Sequence, residues 1–369
     1  MRRADSFRMK LKKWLLGTGV LTAVFLCMWC IIYVLTPYFE TYGALCLFRI
    51  AGITVSKKNE PEIYLELTLP KPIHVTESKI EADETLETEP EMNLYARATP
   101  DPNRETGAVE VLKMSAGQPV DCFTVKDETG TGLDLEQELL VDPEISVRRD
   151  GTPVVLLYST HTTESFVLEK GADWYYLDDD FRSLEPEEGI VSVAAEAAKV
   201  IEAGGFGVIH DTTIHDYPAY SGSYARSMET IQKNLKEYPS IGITVDVHRD
   251  AFGENGTTRY KPIAEINGKD AAQLMILTGC DISENPVFPN WRENLHLALR
   301  MQQKGETLFP GLFRPLYFCK RNYNMHATSG SLLVEVGTDV NTLEEAKYAG
   351  KLLGETILAV LNDLADKAE

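Results

Sequence analysis

Residues 153–165, PVVLLYSTHTTES, decide how the chain is read: an uncharged run of six residues passes directly into a polar turn. An apolar run of that length, ended by Ser and Thr, reads as a buried strand. Similar short runs predict strands at 207–210, 242–248, 272–277, 315–318 and 331–336. Between them, residues 191–203 (VSVAAEAAKVIEA), 223–237, 289–303 and 342–364 place apolar residues at helical spacing. The first of these helices stops at Gly204-Gly205, where the backbone can turn. Strands alternating with helices predict an α/β fold, a doubly wound, mostly parallel sheet flanked by helices. Ligands of such sheets sit outside the carboxyl ends of the strands, so residues just past strand ends are the candidates for chemistry.

Outward from this core, the 369 residues are 44% hydrophobic and 25% charged, enough for one or two domains and extra segments. Residues 1–13, MRRADSFRMKLKK, carry a local charge of +5; removing that from the total of −20 leaves −25 for the remainder. Residues 14–36, WLLGTGVLTAVFLCMWCIIYVLT, contain no charge and match the ~20 apolar residues that a helix needs to cross a bilayer. The run continues through Ile31, Ile32, Tyr33 and Val34 without a small-residue cleavage site, so an uncleaved anchor is expected. Basic residues before the span and acidic ones after it put the N-terminus in the cytoplasm and the rest outside. Residues 37–108 become acidic and proline-containing and read as a largely flexible linker, with a globular domain at 109–369.

The acidic outer part argues against nucleic acid or anionic lipid as the main partner, because both reward basic patches. Cys27 and Cys30 lie in the span, and Cys46, Cys122, Cys280 and Cys319 are scattered. Such sparse use gives no disulfide framework, although one bridge among the outer cysteines stays open.

Three predicted strands deliver polar residues towards one edge of the sheet. His161 and Glu164 share the turn after the first, His248-Arg249-Asp250 ends the strand at 242–248, and Glu335 lies near the end of SLLVEVG. Two imidazoles and carboxylates brought together suit a zinc site, whose catalytic form keeps a position open for water. A hydrogen-bonded, half-buried role is the alternative for each histidine taken alone. His210-Asp211 and His215-Asp216 add two His-Asp pairs after another strand, as a groove wall or as bonds within the loop. No GxxxxGK, GxGxxG or GxSxG arrangement is present.

The segments VLLYSTHTTESF, FGVIHDTTIHDYPAYSGSYARSMETI, YPSIGITVDVHRDA and SLLVEVGTDVNTLEEAKYAGKLLGETI resemble, in order and spacing, the stage II sporulation protein P family. The resemblance spans about residues 150–363, and the basic tip, single span and acidic linker match the same layout. That family is grouped with the zinc-dependent N-acetylmuramoyl-L-alanine amidases. The resemblance implies a membrane-anchored peptidoglycan hydrolase of the sporulation septum, with Zn2+ as cofactor and stage II sporulation proteins D and M as partners. It implies His161 and His248 as zinc ligands and Glu335 as the catalytic glutamate that handles protons.

The amidases' glycine-rich GHGG turn is replaced here by STHTTES, and Ser159 stands where relatives carry a second histidine. The third ligand is therefore open between Glu164, which is preferred, and Glu188 at the start of the helix at 191–203. Arg226 and Arg249, with His210 and Asp211, are candidate substrate contacts, the guanidinium groups being suited to stem-peptide carboxylates. Two other readings stay open: a non-catalytic peptidoglycan-binding protein on an amidase fold, and a different metal hydrolase of the envelope.

Overall fold

The computed structural model describes residues 98–366, apart from 113, 115, 254, 255 and 285. The expected membrane span at 14–36 and most of the expected linker lie outside the described residues. Among the described residues no helix is long and apolar enough to cross a membrane.

In chain order the strands are β1 (Thr106–Val111), β2 (Gln118–Val120), β3 (Phe123–Asp127), β4 (Pro153–Tyr158), β5 (Trp174–Tyr176), β6 (Gly207–His210), β7 (Ile243–Asp250), β8 (Thr258–Lys261), β9 (Ile263–Ile266), β10 (Lys269–Ala272), β11 (Leu274–Gly279), β12 (Leu316–Cys319) and β13 (Ser331–Thr338). The α-helices are α1 (Leu135–Leu139), α2 (Ile190–Ala203), α3 (Ser223–Glu237), α4 (Trp291–Leu308) and α5 (Leu343–Asp366). The main sheet has eight strands in the order β2-β3-β12-β11-β13-β7-β4-β6. Only the β2/β3 and β11/β13 pairs are antiparallel, so the mostly parallel sheet expected from the strand and helix alternation is present.

Side-chain alternation assigns each face its cover. On β4, Val155 and Leu157 join Val245, Val247, Val334 and Val336 in the large core beneath α2, α4 and α5. Leu156 and Tyr158 point the other way and pack with Ile231 of α3. Helices thus lie on both faces, but unequally. Helix α5 approaches α2 closely because Gly350 and Gly354, one turn apart, leave room for the α2 backbone: a Cβ at either would collide with the carbonyl of Val193 or Ala197. Burial of Val193, Ala197, Leu353 and Ile357 along that seam supplies the apolar contact.

Two small sheets were not foreseen. β1 pairs antiparallel with β5 and parallel with β8. Because β1 begins at Thr106, ordered pairing starts inside the stretch read as linker, and the boundary at 109 falls within a strand. β9 and β10 form a hairpin about Asn267-Gly268, both at positive φ, as a two-residue turn of the mirror-image type requires. Ala272 therefore closes this hairpin, and the strand expected from 272 begins at Leu274.

The short α1 is fastened by charge. Asp134 caps it, accepting from the amides of Glu136 and Gln137. Glu138, 5% exposed, accepts from Arg292 Nε at 2.8 Å and Nη2 at 2.6 Å and meets His296 Nε2 at 2.8 Å, which ties α1 to α4. The Arg292 hydrogen bonds outweigh burial and, with His296, hold the Glu138 carboxyl below its ordinary 4.5. A pKa depressed by folding stabilises the fold above the unfolded value and is lost as pH falls through the folded one. Glu138→Gln is expected to destabilise by about 1.5–3 kcal/mol at neutral pH, from lost hydrogen bonds to a charged group. Urea denaturation should show that difference shrinking as pH falls below about 4; a difference that grows on acidification would contradict the assignment.

Candidate active site

The strands β4, β7 and β13 lie side by side and parallel, with Asp246 opposite Tyr158 and Glu335 opposite His248. Residues paired across a sheet share a face, and alternate residues of one strand do too. Asp246, His248 and Glu335 therefore project to the face that α3 covers.

The chain leaves β4 through Ser159–Ser165, and every residue of that turn is buried. A buried turn must find partners for its backbone. Asp246 supplies one set, accepting from Thr160 N at 2.8 Å and Thr160 Oγ1 at 2.6 Å. Asp216 supplies another, accepting from Thr163 N at 3.1 Å, Thr163 Oγ1 at 2.8 Å and Arg182 Nη1 at 2.8 Å. His215 lies below: its Nδ1 is 2.8 Å from the Ser159 carbonyl and its Nε2 is 2.9 Å from Thr230 Oγ1. Gly189 presses against the turn so closely that a Cβ would strike the carbonyl of Glu164. That carbonyl accepts from Ile190 N, the first residue of α2, at 2.8 Å.

Within this frame His161, Glu164 and His248 come together. The two imidazoles stand nearly perpendicular with centroids 5.2 Å apart. His248 Nδ1 is 3.5 Å from Glu164 Oε2, and its Nε2 is 2.9 Å from Asp246 Oδ1 but not aligned for a hydrogen bond. Glu164 Oε2 also accepts from Arg249 N at 3.2 Å. Tyr220 stacks on His161 at 4.4 Å, and its hydroxyl is 2.9 Å from His161 Nε2. Tyr224 meets the His161 ring edge-on and lies parallel to that of His248.

The electrostatics separate these groups. Burial disfavours a charged His248, yet Asp246 and Glu164 outweigh it and raise its pKa well above the ordinary value. Burial and then the charge of His248 push His161 down to about 4, which leaves it neutral at physiological pH. Glu164, although burial opposes its charge, is held at about 2 by His248, Arg249 and His161. Glu335 is raised to about 8 by burial and by Asp250, against the opposing pull of His248. Its Oε2 is shielded from solvent and has no hydrogen-bond partner among the described residues.

Among the described residues no group of three or more His, Cys, Asp or Glu side chains is already arranged to hold a metal ion. The donor chemistry nevertheless suits zinc: two imidazoles, one of them neutral, with an ionised carboxylate beside the Nδ1 of His248. Asp246 stands behind His248 in the manner of the carboxylates that orient ligating histidines. Glu188, the other candidate ligand, accepts instead from Ser183 Oγ at 2.7 Å on the turn before α2.

The remaining candidates have other duties. Arg249 is buried, and its guanidinium donates to the carbonyls of Ser165 at 2.8 Å and Phe181 at 2.9 Å. Arg226 Nε donates to the carbonyl of His215 at 2.5 Å, and its Nη atoms to those of Ser221 and Ala219. Both arginines shape loops around the site. Asp211 accepts from Thr213 N and from Asn234 Nδ2, which ties the end of β6 to α3. His210 lies at the end of β6, and neither it nor Asp211 joins the hydrogen bonds or ring contacts that bind the cluster. Asp246 was missed, although its place two residues before His248 puts both on one face; Tyr220 and Tyr224 had no comparable signal.

A search of curated proteins finds no match. The solved structures found include the N-acetylmuramoyl-L-alanine amidase AmiC2 of Nostoc punctiforme, at 12% identity and TM-score 0.34, covering 58% of this chain and 97% of that one. The CwlD amidase of Clostridioides difficile, solved in complex with the GerS lipoprotein, matches at 9% identity and TM-score 0.36, covering 58% and 99%. The apo amidase Ami1 of Mycobacterium abscessus matches at 12% and 0.33, covering 57% and 98%. The family model for stage II sporulation protein P matches residues 48–358, which include the whole of the buried turn, the two histidines and Glu335, and so this chain belongs to the stage II sporulation protein P family.

Proposed function

We propose that the chain is a zinc-dependent N-acetylmuramoyl-L-alanine amidase, anchored by residues 14–36 and acting on peptidoglycan outside the cytoplasm. The observation that carries this reading is the meeting of His161, Glu164 and His248 one strand away from Glu335, whose Oε2 is shielded and without a hydrogen bond among the described residues. Family membership supports a place in the thinning of septal wall during sporulation, and the resemblance names stage II sporulation proteins D and M as partners.

His161, His248 and Glu164 would hold the zinc. When bound, zinc supplies a Lewis acid that polarises the scissile carbonyl and acidifies water. Glu335, level with His248 across the β7/β13 pairing, would in its ionised form accept the proton of the attacking water and return it to the leaving nitrogen. The water oxygen bonds to the lactyl carbonyl carbon of muramic acid as the carbon–nitrogen bond breaks. A lactyl carboxylate and a free alanine amine are left. Thr160 and Asp246 keep the turn and His248 in register.

Purified full-length chain incubated with sacculi should release peptides with new N-terminal alanine, detected by mass spectrometry, and chelator should stop it. Glu335→Gln should keep its zinc and cut about 10²–10⁴ times more slowly. Wild-type chain that carries zinc yet leaves sacculi intact, or a glutamine variant that cuts at the wild-type rate, would refute the reading. Asp246→Asn should weaken zinc affinity by about 10–100-fold, as loss of an orienting carboxylate does. Metal titration showing unchanged affinity would remove Asp246 from that role.

A further inference from the structure

The arginines first matched to substrate carboxylates, Arg226 and Arg249, spend their guanidinium groups on backbone carbonyls. Another arginine at the same end of the sheet does not. Arg314, two residues before β12, is wholly buried, and its backbone is fixed at both ends: its amide donates to the Leu274 carbonyl at 2.7 Å, and its own carbonyl accepts from Gln302 Nε2 at 3.0 Å. Its Nη1 donates to Asp250 Oδ2 at 3.0 Å. Its Nε and Nη2 are shielded from solvent and have no hydrogen-bond partner among the described residues.

Those two atoms form one edge of the guanidinium, with parallel N–H bonds that match the two oxygens of a carboxylate. The same edge is in use elsewhere in this molecule. Arg292 grips Glu138 through Nε at 2.8 Å and Nη2 at 2.6 Å, and Arg104 grips Asp178 through Nε at 3.1 Å and Nη2 at 2.6 Å. A buried cation with an open fork is costly to keep, which argues that something fills it.

Its place says what. Asp250 is two residues beyond His248 on β7 and so shares the face of the site. Arg314 is among the charges that act on Glu335. The flanking side chains are Phe252, half-buried with its ring 5.6 Å from the guanidinium carbon, and Met114, with its sulfur 3.9 Å from Nη1.

We propose that the Nε/Nη2 edge of Arg314 receives a free carboxylate of the substrate's peptide, entering as Phe252 and Met114 swing aside, and so fixes an acidic peptide beside Glu335. This deepens the amidase reading and rests on it for the identity of the substrate. Arg314 is on this account a specificity residue: it selects stem peptides whose carboxyl is free over those in which it is amidated.

The test compares two probes, N-acetylmuramoyl-L-alanyl-D-glutamic acid and its form with both glutamate carboxyls amidated. Binding is measured by calorimetry on full-length chain carrying Glu335→Gln to prevent turnover. The acid should bind at least about tenfold tighter than the diamide, since the site is left with unpaired donors when the carboxylate is missing. Adding Arg314→Gln should bring the ratio close to one while diamide binding stays the same. Arg314→Lys keeps the charge beside Asp250 but not the fork; it should also lose most of the preference, and it decides the matter if the glutamine variant does not fold. Equal affinity for the two probes in the parent, or an undiminished preference in a folded Arg314 variant, overturns the proposal. A preference that depends on Arg314 in a chain whose wild type leaves sacculi uncut would keep the carboxylate site and remove the hydrolase. Cut sacculi with no preference would do the reverse.

Discussion

His248 is buried between two carboxylates, and the site is built around that arrangement. Asp246 sits 2.9 Å from one ring nitrogen and Glu164 3.5 Å from the other. The same Asp246 binds the backbone of Thr160, and the same Glu164 is braced by Arg249 and by the close approach of Gly189. One imidazole therefore couples the turn after β4, the end of β7 and the start of α2. Any cation or proton shared at that point is felt by all three segments. The adjacent β13 brings Glu335 level with His248, so the proposed acid–base group and the candidate ligands are positioned by one stretch of parallel pairing.

Such a cluster is expensive in an apolar core, and the fold places its cost on one face of the sheet. The opposite face is filled with valine, leucine and isoleucine beneath three helices, where the close α2–α5 seam adds burial. On the site face α3, the Tyr220 loop before it and the loop that carries Tyr323 and Asn324 give cover, and Asn324 Nδ2 bonds back to the Tyr224 carbonyl and Ser227 Oγ of α3. Tyr224 and Tyr323 stack above the cluster at 5.4 Å. The apolar face supports the polar one.

Much of this was legible in the residues. The strands at 153–158 and 207–210 and the helix at 223–237 were read with the bounds they have, because apolar runs ended by polar or glycine residues, and helical spacing, mark them in the sequence. The strands β1, β2, β3, β5, β8, β9 and β10 were not read, being short segments of three to six residues at edges or in small sheets, where few side chains are buried. Even so, Asn267-Gly268 was a turn signal open to reading. The histidines, Glu164 and Glu335 followed from strand ends and from resemblance. The duties of Arg226 and Arg249 did not, because their partners are main-chain carbonyls that every residue possesses. The open fork of Arg314 was hidden for a related reason: an unmet hydrogen bond becomes visible only when all the neighbours are in place.

The central claim is that His161, His248 and Glu164 hold zinc, and X-ray absorption at the zinc edge on purified full-length chain tests it most directly. The account predicts one zinc per chain, with nitrogen and oxygen neighbours at about 2.0–2.2 Å and the outer scattering of two imidazoles, reduced to one in His161→Ala. A chain that neither retains nor takes up zinc, or a spectrum without imidazole scattering, would contradict it.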